Sequence, residues 1–324
     1  FYAYRGIRLL RKRLLHYFGD ATTALVLLLI AFGTNLNYYV LYEPFMSHAY
    51  SFFLFAWLID VSIQWYEEPS KQSAWKLGLV AGLIALTRLP NAIVLLLPLL
   101  YGVNNWQEFK RSIGRWFTNY YILYALLPAL CIYGIQLAYY QIVSGSLLYY
   151  SYQQERFFFA SPHILEGLFG FRKGWFIYTP LMFAAFAGLL FLKRKAKKFF
   201  LPLMIYLPLS IYVVLSWWCW WYGGSYGMRA LIENYALLAF PLAALVDWLL
   251  ERRFRLALTS WIIGLGVIWL SLFQTEQYKK QLITYDSMTF KAYKAVFLHR
   301  HAPINFNELL EYPDYDRAKF ENKP

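Results

Sequence analysis

Long runs of apolar residues recur along this 324-residue chain and restrict its fold more than any other feature. The hydrocarbon core of a bilayer is crossed by a helix of about 20 apolar residues, and several runs approach or exceed that length. Charged residues make up 15% of the chain, against about 25% in soluble domains. The sequence therefore predicts an all-α, polytopic bundle of transmembrane helices.

The apolar runs predict about nine crossings, and two of them belong to one hairpin. A basic amphipathic segment at residues 1–20 is expected to lie on the cytoplasmic surface, before the bundle of residues 21–273. A polar tail, residues 274–324, is expected on the extracytoplasmic side. The expected crossings lie at residues 21–41, 48–66, 76–103 (the hairpin), 117–143, 175–192, 199–216, 231–250 and 256–273.

The hairpin is predicted because one apolar run is interrupted midway by a polar tetrapeptide, from Arg88 to Asn91. One interpretation is a single long helix kinked at Pro90, and the other is two short helices with a turn at the tetrapeptide. Basic residues flank both ends of the run, with Lys71 before it and Lys110 after it, so both ends are expected in the cytoplasm. An even number of crossings is then required, which favours the hairpin.

The net charge of +13 fits a membrane protein with basic cytoplasmic loops and does not require a nucleic-acid partner. The chain has 31 Lys and Arg residues, and in the nine-crossing arrangement most of those outside the tail lie on the cytoplasmic side. The exceptions, on the outer side, are Arg88, Arg156, Arg172, Lys173 and Arg229. These outer cations are the first candidates for ligand contacts.

Residues 217–229 form the most aromatic short stretch of the chain, with four tryptophans, two tyrosines, three glycines and Arg229. Tryptophan and tyrosine are typical of the membrane–water interface, so an aromatic belt explains the rings. It does not explain the glycines, which allow close backbone approach, or the arginine, which can bind a phosphate or carboxylate. We expect a ligand-facing loop in which Trp221 and Tyr222 offer aromatic faces to a sugar.

Other candidate binding residues lie at the same outer side. Glu43 and His48 flank a short loop and could bind sugar hydroxyls, a phosphate or a divalent metal ion, or simply belong to a hydrated loop. Arg88 and Asn91 lie within an apolar run, where an arginine is costly unless it has a partner or faces an aqueous cavity. The alternative for Arg88 is a structural ion pair or a side chain that reaches the interface.

Three further basic residues could either bind a ligand or have a structural role. Arg172 and Lys173 could bind an anion or anchor the loop at the interface. Arg229 and Glu233 are four residues apart at the start of an expected helix, so they could pair with each other. Together, the outer cations, Glu43 and the aromatic rings suit an anionic, amphipathic substrate such as a lipid-linked sugar phosphate or diphosphate.

Three stretches of the chain resemble the integral-membrane GT-C glycosyltransferases, in particular the bacterial protein mannosyltransferase and aminoarabinose transferase group. The resemblance covers most of residues 20–275. The first stretch is the acidic loop 42–50 that runs into a helix, and the second is 78–91, which ends in a basic hairpin tip. The third combines residues 167–180 with 221–229.

The resemblance implies an inverting transfer of a sugar from a polyprenyl-phosphate donor, at the extracytoplasmic face of the bacterial inner membrane. The acceptor would be a lipid, a glycan or a protein. In this family an aspartate in the first outer loop usually acts as general base, and no matching residue is present. The sequence begins at Phe1 rather than at methionine, so we expect a C-terminal portion whose catalytic base lies upstream. Glu43 matches the second acidic loop, and Arg88 and Arg229 are candidates for phosphate contact.

Two other classes of membrane protein remain open from the sequence. A transporter or flippase of a lipid-linked or anionic solute would also use interrupted helices, although such proteins more often contain an internal repeat, and none is evident. A structural membrane subunit would not need an arginine in the middle of an apolar run. The two cysteines, Cys131 and Cys219, suggest neither a disulfide framework nor a cysteine metal site.

Overall fold

The computed structural model describes residues 1–252 and 254–323. For residues 254–256 it describes the backbone alone. The regular secondary structure of the described part is helical, apart from one isolated antiparallel bridge between Phe157 and Trp217. The α-helices are α1 Tyr2–Leu14, α2 Asp20–Phe32, α3 Leu36–Leu41, α4 Ser47–Glu67, α5 Lys71–Thr87, α6 Leu96–Leu100, α7 Trp106–Phe117, α8 Tyr121–Ser144, α9 Ile164–Phe169, α10 Trp175–Tyr178, α11 Leu181–Lys195, α12 Phe200–Leu215, α13 Tyr235–Leu250, α14 Phe254–Lys279, α15 Phe290–Val296 and α16 Tyr315–Glu321. The 3₁₀ segments are Leu89–Leu95, Thr118–Tyr120, Lys197–Phe199, Arg229–Asn234 and Phe306–Leu309.

Four helical segments are long and apolar enough to cross a membrane. They are Trp106–Ser144, Lys197–Leu215, Arg229–Leu250 and Ala257–Lys279. Other expected crossings are shorter helices: α2 has 13 residues and α11 has 15. The chain is therefore a helical membrane protein.

Helix α13 forms the centre of the bundle because it is apolar on every face. Most of its residues are buried, and it packs against α2, α4, α11 and α14. Gly188 of α11 permits the close approach, since a Cβ atom there would clash with the carbonyl of Pro241 in α13. Helix α8 is the opposite case: its one buried residue is Pro128, and it packs mainly on α5. An apolar helix with so much exposed surface suits contact with lipid.

One end of the bundle, here called the basic end, contains the cations of α1 and of residues 193–198. Two of its buried carboxylates are paired. Asp60 of α4 accepts hydrogen bonds from Arg13 Nε at 2.6 Å and Lys12 Nζ at 3.0 Å. Lys195 Nζ lies 2.6 Å from Asp247 Oδ2 in α13. These pairs explain why two carboxylates occur within apolar runs. The predicted arrangement also puts a basic cytoplasmic loop at residues 251–255, between the last two crossings, and this loop lies partly outside the described residues.

The chain reverses direction at Arg88. Helix α5 begins beside the basic end, and the segment after Arg88 returns there. The Tyr101 ring lies 5.2 Å from the Tyr66 ring at the end of α4, and the Gly102 amide donates to the Lys198 carbonyl at 3.0 Å. A single kinked helix would have left Tyr101 at the far end, so the short-helix hairpin is the observed arrangement.

The far end of the bundle, here called the aromatic end, carries the loop of residues 217–229. Residues 280–323 fold back over it through α15, α16 and the turns around them. Tyr315 of α16 contacts Trp221, with 5.5 Å between ring centroids. Asn322 Nδ2 donates to Ser161 Oγ at 2.9 Å. The polar tail expected from the sequence is thus a folded cover on the aromatic end.

Candidate functional site

Residues 217–229, here called the aromatic loop, are anchored to the bundle by buried polar groups. The Tyr226 amide donates to the Tyr39 hydroxyl at 2.8 Å, and Asn35 Nδ2 donates to the Tyr226 carbonyl at 3.0 Å. The Tyr235 hydroxyl donates to Asn35 Oδ1 at 2.6 Å. Asn35 is fully buried in the break between α2 and α3. This break falls inside the single crossing predicted at residues 21–41, although Gly33-Thr34-Asn35 interrupts that apolar run.

The loop uses glycine where its backbone is left-handed. Gly223 and Gly227 have φ angles of +59° and +58°, a region that glycine enters without a steric penalty. At Gly227 a Cβ atom would also lie 3.2 Å from Asn35 Nδ2. The glycines therefore let the loop turn tightly against α3, which brings Arg229 to the start of the helical segment that continues into α13.

A buried carboxylate, Glu233, lies at the centre of a cluster of polar side chains. Arg88 Nη1 donates to Glu233 Oε1 at 2.7 Å, and Asn91 Nδ2 lies 3.3 Å from the same oxygen. His48 Nδ1 is 3.5 Å away. We call these four residues the Glu233 cluster. The arginine expected in mid-run therefore has a carboxylate partner, which is the structural ion pair that the sequence left as an alternative for Arg88.

The cluster forms where three helical segments end or begin. His48 lies in the first turn of α4, and Arg88 follows the last residue of α5 with extended backbone angles. Glu233 lies in the 3₁₀ segment that leads into α13. Helix ends leave polar backbone groups unsatisfied, so a polar pocket at this depth is easier to sustain here than between helix interiors.

The Glu233 cluster retains unused bonding capacity. Glu233 Oε2 and His48 Nδ1 are buried atoms with no hydrogen-bond partner among the described residues. The Arg88 guanidinium also lies 5.9 Å from the centre of the Tyr222 ring, in a cation–π contact. Tyr222 is thereby part of the same region, and its hydroxyl donates to the Val214 carbonyl at 2.8 Å.

Arg229 does not pair with Glu233, contrary to one interpretation of their spacing. The segment Arg229–Asn234 is a 3₁₀ helix, in which residues four apart point about 120° away from each other. In an α-helix the same two residues would share a face. Arg229 Nη1 instead lies 3.6 Å from Met46 Sδ, and within residues 1–252 and 254–323 no carboxylate lies within 4.0 Å of its side-chain nitrogens.

Lys173 is a second cation without a carboxylate partner in the described part of the chain. It is 1% exposed, and its ammonium group donates to the Ser225 carbonyl in the aromatic loop. Burial lowers the pKa of Lys173 well below its usual value, and the nearby charge of Arg229 lowers it further. A buried ammonium group beside a second cation is stabilised by an added anion, because the anion would offset both charges.

Arg172 is a third such cation, but it faces the folded C-terminal segment. Its guanidinium lies 5.5 Å from the centre of the Trp221 ring, and Nη2 donates to the Glu311 carbonyl at 3.4 Å. Nη1 is buried without a hydrogen-bond partner in the described structure. Burial lowers the pKa of Arg172. Trp221 is itself fully buried beneath Tyr315, so it has no free face for a sugar in this conformation.

Glu43 occupies a different position from His48, although the two are close in sequence. Glu43 Oε1 accepts a hydrogen bond from the Tyr38 hydroxyl at 2.8 Å, and Oε2 is buried without a hydrogen-bond partner among the described atoms. His48 faces Glu233 instead. In the described residues no group of three or more His, Cys, Asp and Glu side chains is arranged to hold a metal ion. A divalent cation bound by Glu43 and His48 thus remains a prediction.

Asp286 is a further buried acid, and it lies in the segment predicted to be a polar tail. It is 3% exposed, and it accepts hydrogen bonds from the Tyr315 hydroxyl at 2.6 Å and from Ser287 Oγ. It joins α16 to the rest of the folded C-terminal segment. Nothing in the pattern of the expected tail pointed to a buried carboxylate.

Comparison of the chain with protein-family models, with curated proteins and with solved structures gave no match. The resemblance to GT-C glycosyltransferases therefore remains an expectation from the residues quoted above.

Proposed function

We propose that the chain is part of a membrane glycosyltransferase that moves a sugar from a polyprenyl-phosphate donor to an acceptor, with inversion. In this proposal the bundle has nine crossings, and the aromatic end faces the extracytoplasmic side of a bacterial inner membrane. The observation that carries the proposal is the set of cations at the aromatic end without carboxylate partners in the described structure, above all Arg229 and Lys173.

The phosphate of the donor would bind where those two cations meet. Lys173 donates to the Ser225 carbonyl of the aromatic loop, and Arg229 is the last residue of the same loop. The charge of Arg229 also lowers the pKa of Lys173, and a bound phosphate would offset both charges. Negative charge grows on the phosphate as the sugar leaves, so Arg229 would stabilise the leaving group more than the bound donor. The apolar helices would hold the polyprenyl chain.

The Glu233 cluster would position the site rather than bind phosphate. Arg88 is already paired with Glu233, so it is a weaker candidate for phosphate contact than Arg229. Its carboxylate partner fixes the end of α5 against the start of α13. The free oxygens of Glu43 and Glu233 are acceptors for hydroxyl groups of a sugar or an acceptor.

The direct test is sugar transfer by the full-length protein in liposomes, with polyprenyl-phosphate hexoses and pentoses labelled in the sugar. We expect label to appear on an added acceptor extract together with free polyprenyl phosphate. Arg229→Ala should lower the rate by about 10²-fold, as expected for loss of one donor to a developing anion. Arg300→Ala, a change at an exposed arginine of the C-terminal segment, should leave the rate unchanged.

Other outcomes would contradict the proposal. Label that stays on the lipid but moves between leaflets would indicate a flippase. An unchanged rate in Arg229→Ala would remove the phosphate assignment from that residue.

A further inference from the structure

A second cationic site lies at the basic end, away from the proposed transferase site. Helix α7 presents Glu108, Arg111, Ser112 and Arg115 at i, i+3, i+4 and i+7 spacing, which places them on one face of the helix. These four residues line a small open groove, whose other wall is residues 101–103 and Tyr66.

Two cations converge on the Tyr66 ring beside this groove. The Arg115 guanidinium lies 5.6 Å from the ring centre, and Lys198 Nζ lies 4.5 Å from it. Arg115 Nη1 also donates to the Tyr66 carbonyl at 3.4 Å. In the described structure no carboxylate lies within 4.0 Å of the side-chain nitrogens of Arg111, Arg115 or Lys198. The positive charges of Arg111, Arg115 and Lys198 are therefore not neutralised by a directly paired carboxylate in the described structure.

Glu108, the acidic residue among those that line the groove, is already hydrogen-bonded to Asn104. Glu108 Oε2 accepts hydrogen bonds from the Asn104 amide at 2.6 Å and from Asn104 Nδ2 at 3.1 Å. Glu108 thus stays with Asn104 at the start of α7 and leaves the arginines available.

Both walls of the groove are fixed to the bundle. Ser112 Oγ donates to the Leu99 carbonyl at 2.8 Å, which holds α7 against α6. The Gly102 amide donates to the Lys198 carbonyl at 3.0 Å, which holds the turn after α6 against the start of α12. The cations are therefore presented by a preformed surface and not by a free loop.

We propose that this groove binds the phosphate headgroup of an anionic phospholipid. Helix α7 carries bulky exposed apolar residues as well as cations, with Trp106 66% and Phe117 68% exposed, which is typical of a helix at the membrane surface. It leads into α8, whose apolar side chains are exposed along most of its length and can contact acyl chains. A phospholipid whose phosphate is held by Arg111 and Arg115 would therefore place its acyl chains against α8. A free phosphate ion could not make this second contact.

The test is native mass spectrometry of the full-length protein released from mixed micelles that contain phosphatidylglycerol and phosphatidylcholine in equal amounts. We expect retained phosphatidylglycerol in the wild type. In the double variant Arg111→Ala/Arg115→Ala its apparent affinity should fall about 30-fold, from about 1 kcal/mol for each basic residue near an anionic surface. The matched control is Arg8→Ala/Arg11→Ala, which removes the same charge from exposed positions of α1 at the basic end.

Three results would overturn the proposal. Equal retention by the groove variant and the wild type would show that the groove does not bind the lipid. An equal loss in the α1 control would show diffuse surface attraction. Displacement of the lipid by excess inorganic phosphate would show that the groove takes free phosphate. None of these results depends on sugar transfer at the aromatic end.

Discussion

Glu233 shows most clearly how one side chain organises the candidate site. It is 2% exposed and lies within hydrogen-bonding or ion-pairing distance of His48 in α4, of Arg88 directly after α5, and of Asn91 in the 3₁₀ segment that follows. A buried ion pair often contributes little net stability, because removing both charges from water offsets the attraction. Breaking it on one side is different, since the remaining charge is buried without a partner.

We predict that Glu233→Ala lowers the free energy of unfolding by about 3 kcal/mol, because the mostly buried guanidinium of Arg88 is then left without its carboxylate. The double variant Arg88→Met/Glu233→Leu should recover most of that loss. The measurement is denaturant titration in detergent micelles. Glu276→Ala is the control, since Glu276 pairs with Lys279 on an exposed surface and its loss should cost under about 1 kcal/mol. Equal losses for the two single variants would contradict this account of Glu233.

At the level of single residues, the sequence predicted the partners of Glu233 only in part. Arg88 and Asn91 were expected together at a turn, and the structure places both on Glu233. The pairing of Arg229 with Glu233, one of the alternatives from their spacing, does not form, because helix type as well as spacing decides which side chains meet. Long-range pairing between the end of α5 and the start of α13 cannot be predicted from one sequence.

Among the helices, the hairpin and α8 depend on small residues at their contact. Gly78 and Gly82 of α5 face Ala125 and Ala129 of α8, and a Cβ atom at Gly82 would lie 3.0 Å from the Ala129 backbone. At Gly78 a Cβ atom would clash with the Ala125 carbonyl. Small residues at such spacing allow membrane helices to pack by close backbone contact.

We predict that Gly78→Ala lowers the free energy of unfolding by about 1–3 kcal/mol, because α8 must move away from α5. Gly134→Ala, on α8 itself, is the matched control, since a Cβ atom there meets no heavy atom within 4 Å. That change should be neutral or slightly stabilising, by up to about 1 kcal/mol. Denaturant titration in micelles measures both variants. If Gly134→Ala were the more damaging change, the α5–α8 contact would be misplaced.

The helices were predictable to different degrees. The hairpin followed from basic residues on both flanks of one apolar run, since charge asymmetry reports sidedness. The break at Gly33-Thr34-Asn35 was missed because hydropathy averaged over a window hides three residues. The folded segment 280–323 was missed because its contacts with the aromatic loop join positions far apart in the chain.

For the whole molecule, the arrangement separates two ends with different chemistry. At the basic end, Asp60 and Asp247 each form an ion pair with a basic side chain. The aromatic end differs in two ways. It contains cations that have no carboxylate partner in the described structure, and it contains buried carboxylate oxygens that have no hydrogen-bond partner there. The sidedness of these two ends is a prediction that labelling can check.

We predict that Gln72→Cys and Gln107→Cys react with a membrane-impermeant thiol reagent from the same side, and Ser146→Cys from the opposite side. The reason is that the hairpin returns the chain to the basic end before α7, whereas α8 ends at the aromatic end. Single cysteines would be introduced into a Cys131→Ser/Cys219→Ala background and labelled in intact and in opened cells. Labelling of positions 72 and 107 from opposite sides would contradict the hairpin.

The most direct measurement of the central claim is binding of polyprenyl phosphate, compared with the uncharged polyprenol, to the full-length protein in micelles. If Arg229 binds the phosphate, the wild type should prefer polyprenyl phosphate over polyprenol, and Arg229→Ala should lower that preference by about 10–100-fold, the range for a charge-assisted hydrogen bond. Arg300→Ala should keep it. Equal binding of the phosphate and the alcohol by the wild type, or an unchanged preference in Arg229→Ala, would contradict the account.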